Sequence, residues 1–347
     1  MSNKPIGVIG AGSFGTTVAN LLAENSEVLI YARSKELLEQ IRTTGASRDY
    51  QINKNVTPID SLEELATRTD IIFPVVSSSG FRSMMQDVAP YLHPYHTLIH
   101  GTKGLDVLLP EGMKIEDPNA VINRDNVKTM SEVILEESAV VKVGCLAGPN
   151  LAREIADKHP AATVVASRFD SVIADGQKLL RNDRFQVYGN KDLIGIELTG
   201  VLKNIIAIAS GALSGLGYGE NARALLVSRG MVEMIHLGKA LGGNTEAFIG
   251  LAGIGDLIAT CSSNLSRNFT VGYRLAKGES LNEIIGSMQE VAEGINTIRI
   301  INNFAKYYQF RAPITEKLYQ VLFGDATMEE ALQYLMKIPL NVDIDFL

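Results

Sequence analysis

A lysine and an asparagine stand side by side in the middle of an apolar helical stretch. The stretch, ELTGVLKNIIAIASGALSGLG, covers residues 197–217, and the pair is Lys203 and Asn204. Small and polar residues share the helical face of Lys203, namely Thr199, Gly200, Ala207, Ser210, Gly211 and Ser214. Another group can approach such a face closely, which makes Lys203 a candidate for chemistry. The alternative is a lysine that reaches water from an ordinary amphipathic helix.

Three other segments place polar side chains at positions that are otherwise apolar or rich in glycine. HGTKG puts Lys103 after a strand, at the carboxyl end where open parallel sheets bind ligands. LAGIGDLIATC puts Asp256 and Thr260 on one helix face after a glycine turn. SNLSRNFTVG supplies a hydroxyl, a fork of donors and an amide suited to a phosphate, from Ser266, Arg267 and Asn268. Each segment alone is most simply a charged loop, but the four together favour an active site.

The segment GAGSFG places Gly10, Gly12 and Gly15 in the spacing G-x-G-x-x-G. The glycine spacing alone is weak evidence for a binding site. However, a strand pattern, IGVIG, precedes it and a helical pattern, TTVANLLAEN, follows it. In that context the glycines allow a tight turn, close approach to a pyrophosphate and close helix packing. The phosphates would bind the amides at the start of the helix. The pattern therefore predicts a dinucleotide site rather than a purely structural turn.

The end of the second predicted strand, EVLIYAR, bears on which dinucleotide is bound. An acidic residue there would accept hydrogen bonds from the ribose hydroxyls, whereas this chain has Arg33 followed by Ser34. An arginine can pair with the 2′-phosphate of NADPH, although a solvated surface arginine is the alternative. We expect NADP(H) to be accepted and preferred, with NAD(H) also possible.

The elements that must position these residues differ between the two halves of the chain. Seven β-rich runs alternate with helical patterns in the first half: IGVIG, EVLIYAR, DIIFPVV, HTLIHG, VVKVGCLAG, ATVVAS and RFQVYG. After about Gly189 only helical patterns follow, one of them continuous over NEIIGSMQEVAEGINTIRIINNFAKYY. We predict an α/β protein, with a Rossmann-like, mostly parallel sheet domain over residues 1–189 and an all-α domain over residues 190–347.

Composition and charge exclude several other classes of protein. The net charge is -7 over 347 residues without a block of like charges, which argues against nucleic acid or an anionic membrane as a partner. The opening MSNKPIG is unlike a signal peptide, and no uninterrupted apolar run suggests a membrane span. Two distant cysteines, Cys145 and Cys261, suggest neither disulfide nor zinc site, so we expect a cytoplasmic protein. We expect no metal at HPYHTLIH, because ligands spread over a turn and a strand would not converge.

At these motifs the chain resembles NAD(P)-dependent glycerol-3-phosphate dehydrogenase of the bacterial type. The resemblance covers nearly the whole chain and rests on GAGSFGTTVA, GTKGL, LAGPNLAREI, ELTGVLKNIIAIASGALSGLGYGENARALLVSRG, LAGIGDLIATCSSNLSRN and VAEGI, in that order. It implies reversible oxidation of sn-glycerol 3-phosphate to dihydroxyacetone phosphate, normally run toward glycerol phosphate for phospholipid synthesis. We also expect a homodimer, although the residues themselves say nothing about oligomeric state.

The resemblance also implies roles for individual residues. The family's general acid/base lysine falls on Lys203, which is grouped with Lys103 and Asp256 as catalytic. The substrate positions are Lys103, Gly148, Asn150, Lys203, Asp256, Ser266, Arg267 and Asn268. The cofactor positions are Gly10, Gly12, Ser13, Phe14, Gly15, Arg33, Ser34, Lys103, Ala152, Arg267, Val291 and Glu293. We expect Asp256 to orient Lys203, and Arg267 with Asn268 to hold the phosphate.

Departures from the family pattern and two rival functions complete the prediction. Phe14 stands where tryptophan is frequent, Asn150 stands where serine or threonine is usual, and residues 106–142 form a longer stretch than is typical. One rival is a related hydroxyacid dehydrogenase of the 6-phosphogluconate type, against which the cluster SRN speaks. The other is a non-catalytic redox sensor that binds NAD(P)H, in which Lys203 and Asp256 would be superfluous.

Overall fold

A computed structural model describes residues 4–117, 120–288, 290 and 292–337. Among them the chain divides into two compact units. The first consists of Met1–Asp106 and Thr129–Leu193, and the second of Val107–Lys128 and Ile194–Leu347. The sequence did not predict that residues 107–128 cluster with the helical unit.

The first unit contains the sheet and the shorter helices. Its strands are β1 (Ile6–Ile9), β2 (Val28–Tyr31), β3 (Ala46–Ser47), β4 (Tyr50–Gln51), β5 (Val56–Ile59), β6 (Ile71–Pro74), β7 (Thr97–His100), β8 (Leu105–Val107), β9 (Val127–Thr129), β10 (Lys142–Ala147), β11 (Ala161–Ser167) and β12 (Phe185–Asn190). The chain leaves this unit at β8 and re-enters it at β9. Its helices are α1 (Ser13–Leu22), α2 (Lys35–Thr44), α3 (Leu62–Arg68), α4 (Phe81–Val88), α5 (Met130–Glu137), α6 (Ala152–Ala156) and α7 (Asp170–Leu180), with 3-10 turns at Ser78–Gly80 and Ala89–Tyr91.

Eight strands form one sheet in the order β12-β11-β10-β7-β6-β1-β2-β5. Every neighbouring pair is parallel except β10 and β11, which run antiparallel. The mostly parallel sheet predicted from the alternating pattern is therefore confirmed. All seven predicted strands are present, and β5 is an additional edge strand.

Helices cover both faces of this sheet, so that successive residues of its central strands enter different cores. One core contains Val8, Ile30, Phe73 and Ile99, packed with residues of α1, α2, α6 and α7. The other contains Ile9, Leu29, Ile72 and Leu98, packed with residues of α3, α4 and α5. Side-chain oxygens of Ser34, Ser61 and Thr129 cap the starts of α2, α3 and α5.

The described residues 194–337 of the second unit are helical. Its helices are α8 (Leu193–Gly215), α9 (Glu220–Ala240), α10 (Thr245–Ile249), α11 (Asp256–Ser262), α12 (Arg267–Ala276), α13 (Leu281–Ser287), α14 (Glu293–Tyr308), α15 (Pro313–Phe323) and α16 (Met328–Lys337), with a π-helical turn at Leu251–Gly255. Among the described residues α8 alone is long and apolar enough to cross a membrane, but 94% of its apolar window is buried inside the protein, as in a core helix.

Glycines let α8 and α12 approach backbone to backbone. A Cβ built on Gly211 of α8 would lie 1.9 Å from the Phe269 carbonyl oxygen. A Cβ on Gly272 of α12 would lie 1.8 Å from the Ile208 carbonyl oxygen. This contact agrees with the prediction that the small-residue face of α8 admits a close neighbour, and it fixes the start of α12 against the helix that carries Lys203.

Two helical segments differ from the sequence prediction. Residues 282–308, predicted as one run, contain most of α13 and all of α14 as separate helices. The Asn268 side chain accepts a 2.9 Å hydrogen bond from the Gly294 amide in the first turn of α14. That bond satisfies an amide at the start of a new helix. The apolar periodicity of the sequence continues across the break between the two helices, and so it did not predict the break. The glycine turn expected before Asp256 is the π-helical turn Leu251–Gly255, which runs directly into α11.

Candidate active site

The loop between β1 and α1 leaves no room for side chains at two of its glycines. Gly10 has φ +114°, and a Cβ there would lie 2.2 Å from the Val75 carbonyl oxygen. A Cβ on Gly15 would lie 2.0 Å from the Gly10 carbonyl oxygen. Gly12 precedes α1 in extended conformation and makes no side-chain cap, and main-chain amides at such a helix start are the groups that bind a phosphate. The loop therefore fits the pyrophosphate of a dinucleotide.

Phe14 and Ala152 lie close to the first two turns of α1. A Cβ built on Gly101 would lie 3.0 Å from Phe14 Cε1, so the ring packs on the residue that follows β7. The Thr17 hydroxyl donates to the Ser13 carbonyl oxygen at 2.8 Å and lies 3.4 Å from the Ala152 carbonyl oxygen. Both predicted cofactor positions, and Ser13 at the first position of α1, are thus near the glycine loop.

The end of β2 presents an exposed arginine followed by a serine that is already engaged. Arg33 is exposed. The Ser34 hydroxyl accepts a hydrogen bond from the Leu37 amide at 3.1 Å and donates to a Glu36 carboxylate oxygen at 2.7 Å. This hydrogen bond from Ser34 lowers the pKa of Glu36. The predicted 2′-phosphate position therefore combines the positive charge of Arg33 with a nearby carboxylate, which the sequence analysis did not weigh.

Lys103 and the segment after β10 form a small polar cradle. The Lys103 ammonium donates to the Gly148 carbonyl oxygen at 3.0 Å. Gly148 has φ +138°, and a Cβ there would lie 3.3 Å from Thr163 Cα. The Asn150 amide nitrogen donates to the Thr163 hydroxyl oxygen at 2.9 Å, and that hydroxyl donates to the Ala147 carbonyl oxygen at 3.0 Å. The structure thus brings together the three predicted substrate residues of the first unit.

The second unit contains a buried ammonium and carboxylate. Lys203 Nζ lies 3.0 Å from Asp256 Oδ1, and the two residues are 5% and 2% exposed. Lys203 also donates to the Thr260 hydroxyl oxygen, and that hydroxyl donates to the Asp256 main-chain carbonyl oxygen at 2.6 Å. Because burying a charge is costly, such a pair persists only when the partners compensate each other. The pairing of Lys203 with Asp256 that the sequence suggested is present.

The surroundings of this pair are buried, and both Ser210 and Cys261 are 0% exposed. Burial raises the pKa of the Cys261 thiol to about 12, and the positive charge of Lys203 opposes this effect only in part. The Ser210 hydroxyl donates to the Cys261 carbonyl oxygen at 2.8 Å and so links α8 to α11. A thiol held in its protonated form is a poor nucleophile, so Cys261 has no nucleophilic role beside the pair.

The start of α12 carries three predicted substrate residues in different environments. Ser266 is buried, and its hydroxyl accepts a hydrogen bond from the Phe269 amide at 3.2 Å, as a helix cap. Asn268 is buried, and its Oδ1 is taken by the Gly294 amide. Arg267 is half-exposed and lies 3.1 Å from a Glu290 carboxylate oxygen. Ser266 and Asn268 are therefore fixed, whereas Arg267 is held in a surface ion pair.

Two other predicted cofactor positions belong to the stretch before and at the start of α14. Glu293 is the first residue of α14 and is partly buried. Val291 lies outside the described residues. Within the ranges that the structure covers, no group of three or more His, Cys, Asp or Glu side chains could hold a metal ion. His96 and His100 instead bond the Ala66 carbonyl oxygen and the Ser131 hydroxyl.

Sequence reasoning left several interacting residues without a role. Thr260 was placed on the face of Asp256, and the four-residue spacing was the signal that it could reach the same partner. No such spacing pointed to Thr163, Glu36 or Glu290. Each contacts a predicted site residue only because of the loop conformation or the tertiary fold.

Comparison with known proteins identifies the family. The family model for the amino-terminal part of NAD-dependent glycerol-3-phosphate dehydrogenase matches residues 5–172, and the model for the carboxyl-terminal part matches residues 192–333. A glycerol-3-phosphate dehydrogenase [NAD(P)+] of Geobacter metallireducens is 40% identical over 341 residues, covering 96% of this chain and 97% of the relative. One of Pseudomonas putida is 38% identical, covering 99% and 97%.

A solved structure supports the same assignment. The crystal structure of glycerol-3-phosphate dehydrogenase from Coxiella burnetii superposes with a TM-score of 0.86 at 31% identity, covering 96% of this chain and 99% of the other. The similarity therefore extends over both units and not only over the glycine loop, which many dinucleotide-binding proteins share. The chain belongs to the NAD-dependent glycerol-3-phosphate dehydrogenase family.

Proposed function

We propose that the protein interconverts sn-glycerol 3-phosphate and dihydroxyacetone phosphate with NADP(H) or NAD(H). The observation that carries this proposal is the buried pair of Lys203 and Asp256, because it places a proton donor with a compensating charge on an apolar helix. A relative that is 40% identical in sequence is named for this activity. The glycine loop of the first unit fits the dinucleotide that the reaction needs.

Lys203 would act as the general acid/base. The bound nicotinamide supplies or accepts the hydride at the substrate C2 carbon. In the reductive direction the Lys203 ammonium donates its proton to the oxygen that becomes the C2 hydroxyl, and the resulting amine regains a proton from solvent. In the oxidative direction the neutral amine takes the hydroxyl proton. Asp256 and Thr260 would hold the amine in one orientation, since they bond it from the same helix.

The start of α12 would bind the substrate phosphate. Asn268 Oδ1 is engaged by a backbone amide, so its Nδ2 is the part left to donate to a ligand oxygen. The Ser266 hydroxyl only accepts in its cap and keeps a proton to donate. Arg267 would exchange Glu290 for the phosphate, because a half-exposed ion pair contributes only about 0–1 kcal/mol and a phosphate offers two oxygens to the guanidinium. Lys103 is also a predicted substrate position and carries a positive charge.

The remaining assignments follow from family membership and the predicted positions. Gly10, Gly12, Ser13, Phe14, Gly15 and Ala152 would contact the cofactor through the glycine loop and its neighbours, and Arg33 and Ser34 would contact its 2′-phosphate. Arg267, Val291 and Glu293 are the remaining cofactor positions that the family pattern implies. Asn150 and Gly148 would contact the substrate. We further propose a cytoplasmic homodimer that supplies glycerol phosphate to phospholipid synthesis.

The test is the nicotinamide absorbance after mixing enzyme, dihydroxyacetone phosphate and NADPH, repeated with NADH. We expect oxidation of both cofactors, with the lower KM for NADPH. Arg33→Ala should raise the KM for NADPH about 10-fold, the scale of a charge-assisted hydrogen bond, and leave the KM for NADH nearly unchanged. Absence of turnover with either cofactor would exclude the activity. Equal KM values for both cofactors in both proteins would exclude a role of Arg33 in selection.

A further inference from the structure

Arg82 contacts three carboxylates from two elements of the first unit. Its Nε donates to Asp106 Oδ2 at 2.8 Å, and a terminal nitrogen lies 2.8 Å from the same oxygen. The terminal nitrogens also donate to Glu136 Oε2 at 2.9 Å and to a Glu137 carboxylate oxygen. The four side chains are between 18% and 32% exposed, so solvent screens these contacts less than it screens a fully exposed ion pair. None of the four residues belongs to the predicted site.

Two of the three carboxylates keep Arg82 in place independently of Asp106. Arg82 is the second residue of α4, where the helix dipole disfavours a positive charge. Glu136 and Glu137 end α5, where the dipole disfavours a negative charge. Contact between the arginine and the two glutamates compensates both effects. Arg82 therefore still has two partners that link α4 to α5 when Asp106 is removed.

Asp106 connects this arginine to the Lys103 loop, defined as residues 101–104. It lies in β8, the strand that follows the loop, and β8 pairs with β9 in a two-stranded sheet separate from the eight-stranded sheet. Before Lys103, the Thr102 hydroxyl donates to the Val76 carbonyl oxygen at 2.7 Å. The loop thus has one side-chain anchor before the lysine and another shortly after it.

The anchors of the loop determine what the Lys103 ammonium can reach. A lysine side chain is long and flexible, so the position of its main chain limits which atoms the ammonium contacts. Lys103 donates to the Gly148 carbonyl oxygen at 3.0 Å, and a neutral acceptor holds an ammonium less firmly than a carboxylate does. The position of the ammonium therefore depends on a loop that is already fixed.

We propose that Arg82 and Asp106 are positioning residues, which anchor the Lys103 loop and so keep the ammonium in place for the phosphorylated substrate. This inference rests on the proposed function, in which Lys103 is a substrate position, and adds residues that act through Lys103. A shift of about 1 Å in a binding group can cost a large part of its effect. Loss of the anchor should therefore weaken substrate binding while the protein stays folded.

Asp106→Ala removes the anchor and leaves Arg82 with two carboxylates. The KM for dihydroxyacetone phosphate, measured by steady-state kinetics at saturating NADPH, should rise about 3- to 10-fold with a lesser change in kcat. The rise should stay below that of Lys103→Met, because the ammonium itself remains. Asp106→Asn keeps an acceptor for Arg82 and should return the KM most of the way to the wild-type value.

Glu137→Ala is the matched control. Glu137 contacts the same arginine, and its side chain is 20% exposed, against 19% for Asp106. It ends α5 and has no place next to the Lys103 loop in the chain, so this variant should keep the wild-type KM for dihydroxyacetone phosphate. Melting temperatures and NADPH titrations show whether each variant is folded and binds the cofactor.

A double-mutant cycle tests whether Asp106 acts through Lys103. In the Lys103→Met background, Asp106→Ala should raise the KM for dihydroxyacetone phosphate by less than about 2-fold, because no ammonium remains to be positioned. Two residues that contribute independently would instead multiply their effects. A full 3- to 10-fold rise in that background, about the rise expected in wild type, would overturn the inference.

The remaining outcomes separate this inference from the proposed function. No reduction of dihydroxyacetone phosphate by wild type would overturn the proposed function and the inference with it. Turnover by wild type together with an unchanged KM in Asp106→Ala would overturn only the inference. Equal rises of KM in Asp106→Ala and Glu137→Ala would do the same, since the whole cluster would then matter and not the link to the loop. A change confined to the KM for NADPH would also overturn it.

Discussion

Two lysines of the candidate site lie in contrasting environments. Lys203, on α8, is buried and has a carboxylate partner, Asp256, at 3.0 Å. Lys103, after β7, is partly buried and donates to the neutral Gly148 carbonyl oxygen at 3.0 Å. A carboxylate holds an ammonium in place and balances its charge, whereas a neutral carbonyl oxygen orients it without adding a negative charge. The contrast suggests that Lys203 serves proton transfer and Lys103 serves binding of the phosphorylated substrate.

The largest effect should follow from Lys203→Met. We expect kcat to fall by about 100- to 10,000-fold, the usual contribution of a general acid/base, with NADPH binding intact. The variant should also lose about 3–5 kcal/mol of unfolding free energy, because the buried Asp256 carboxylate no longer has the Lys203 ammonium to balance its charge. Single-turnover kinetics, cofactor titration and denaturant unfolding measure the three quantities.

The double variant Lys203→Met with Asp256→Asn controls for the stability loss. It removes the orphaned charge, so unfolding free energy should recover in large part while turnover stays low. Turnover near the wild-type level in either protein would contradict the assignment of Lys203.

A smaller effect, of a different kind, should follow from Lys103→Met. Loss of a positive charge near the substrate should raise the KM for dihydroxyacetone phosphate by about 10- to 100-fold, as for a charge-assisted hydrogen bond, with a lesser change in kcat. Stability should change by less than about 1 kcal/mol, because Lys103 is only partly buried and charges in contact with solvent contribute little. Steady-state kinetics and thermal unfolding test this. A loss of kcat and stability as large as in Lys203→Met would remove the contrast between the two lysines.

The smallest effect should follow from Thr260→Val. The variant deletes the hydroxyl that bonds Lys203 and leaves the ion pair with Asp256, so kcat should fall about 3- to 10-fold with KM unchanged. Thr69→Val is the matched control, since the buried Thr69 hydroxyl also donates to a carbonyl oxygen four residues earlier, that of Leu65. Steady-state kinetics of Thr260→Ser, which keeps the hydroxyl, should return most of the rate. Equal kcat losses in the Thr260 and Thr69 valine variants would mean that the hydroxyl does not position the lysine.

The sequence predicted the sheet well because buried parallel strands are continuous β-branched runs. Strand β5 was not predicted, because its sequence VTPI contains Pro58, which is unusual inside a strand. It lies at the edge of the sheet, where proline is tolerated. The break between α13 and α14 escaped as well, since it depends on Asn268 meeting the Gly294 amide, a contact made by the tertiary fold.

Within the candidate site, local spacing predicted some contacts and not others. The small-residue face around Lys203 and the spacing of Asp256 and Thr260 both follow from helix geometry, so these partners could be expected before the structure. The orientation of the Asn150 amide could not, because it depends on where the single proton of Thr163 goes. Roles of the individual residues stay predictions until the variants are measured.

The assignment of residues 107–128 to the helical unit affects how the chain can be divided and how it folds during synthesis. The described contacts of this segment include an ion pair between Glu116 and Arg299 and a 3.1 Å hydrogen bond from the Arg124 amide to the Tyr308 hydroxyl oxygen. Arg299 and Tyr308 are synthesised long after residues 107–128. The sheet strands on both sides of this segment are therefore synthesised before the segment can make these contacts. A fragment that ends near residue 193 would contain the whole sheet. It would also contain residues 107–128, but not the helices from residue 194 onward with which that segment clusters.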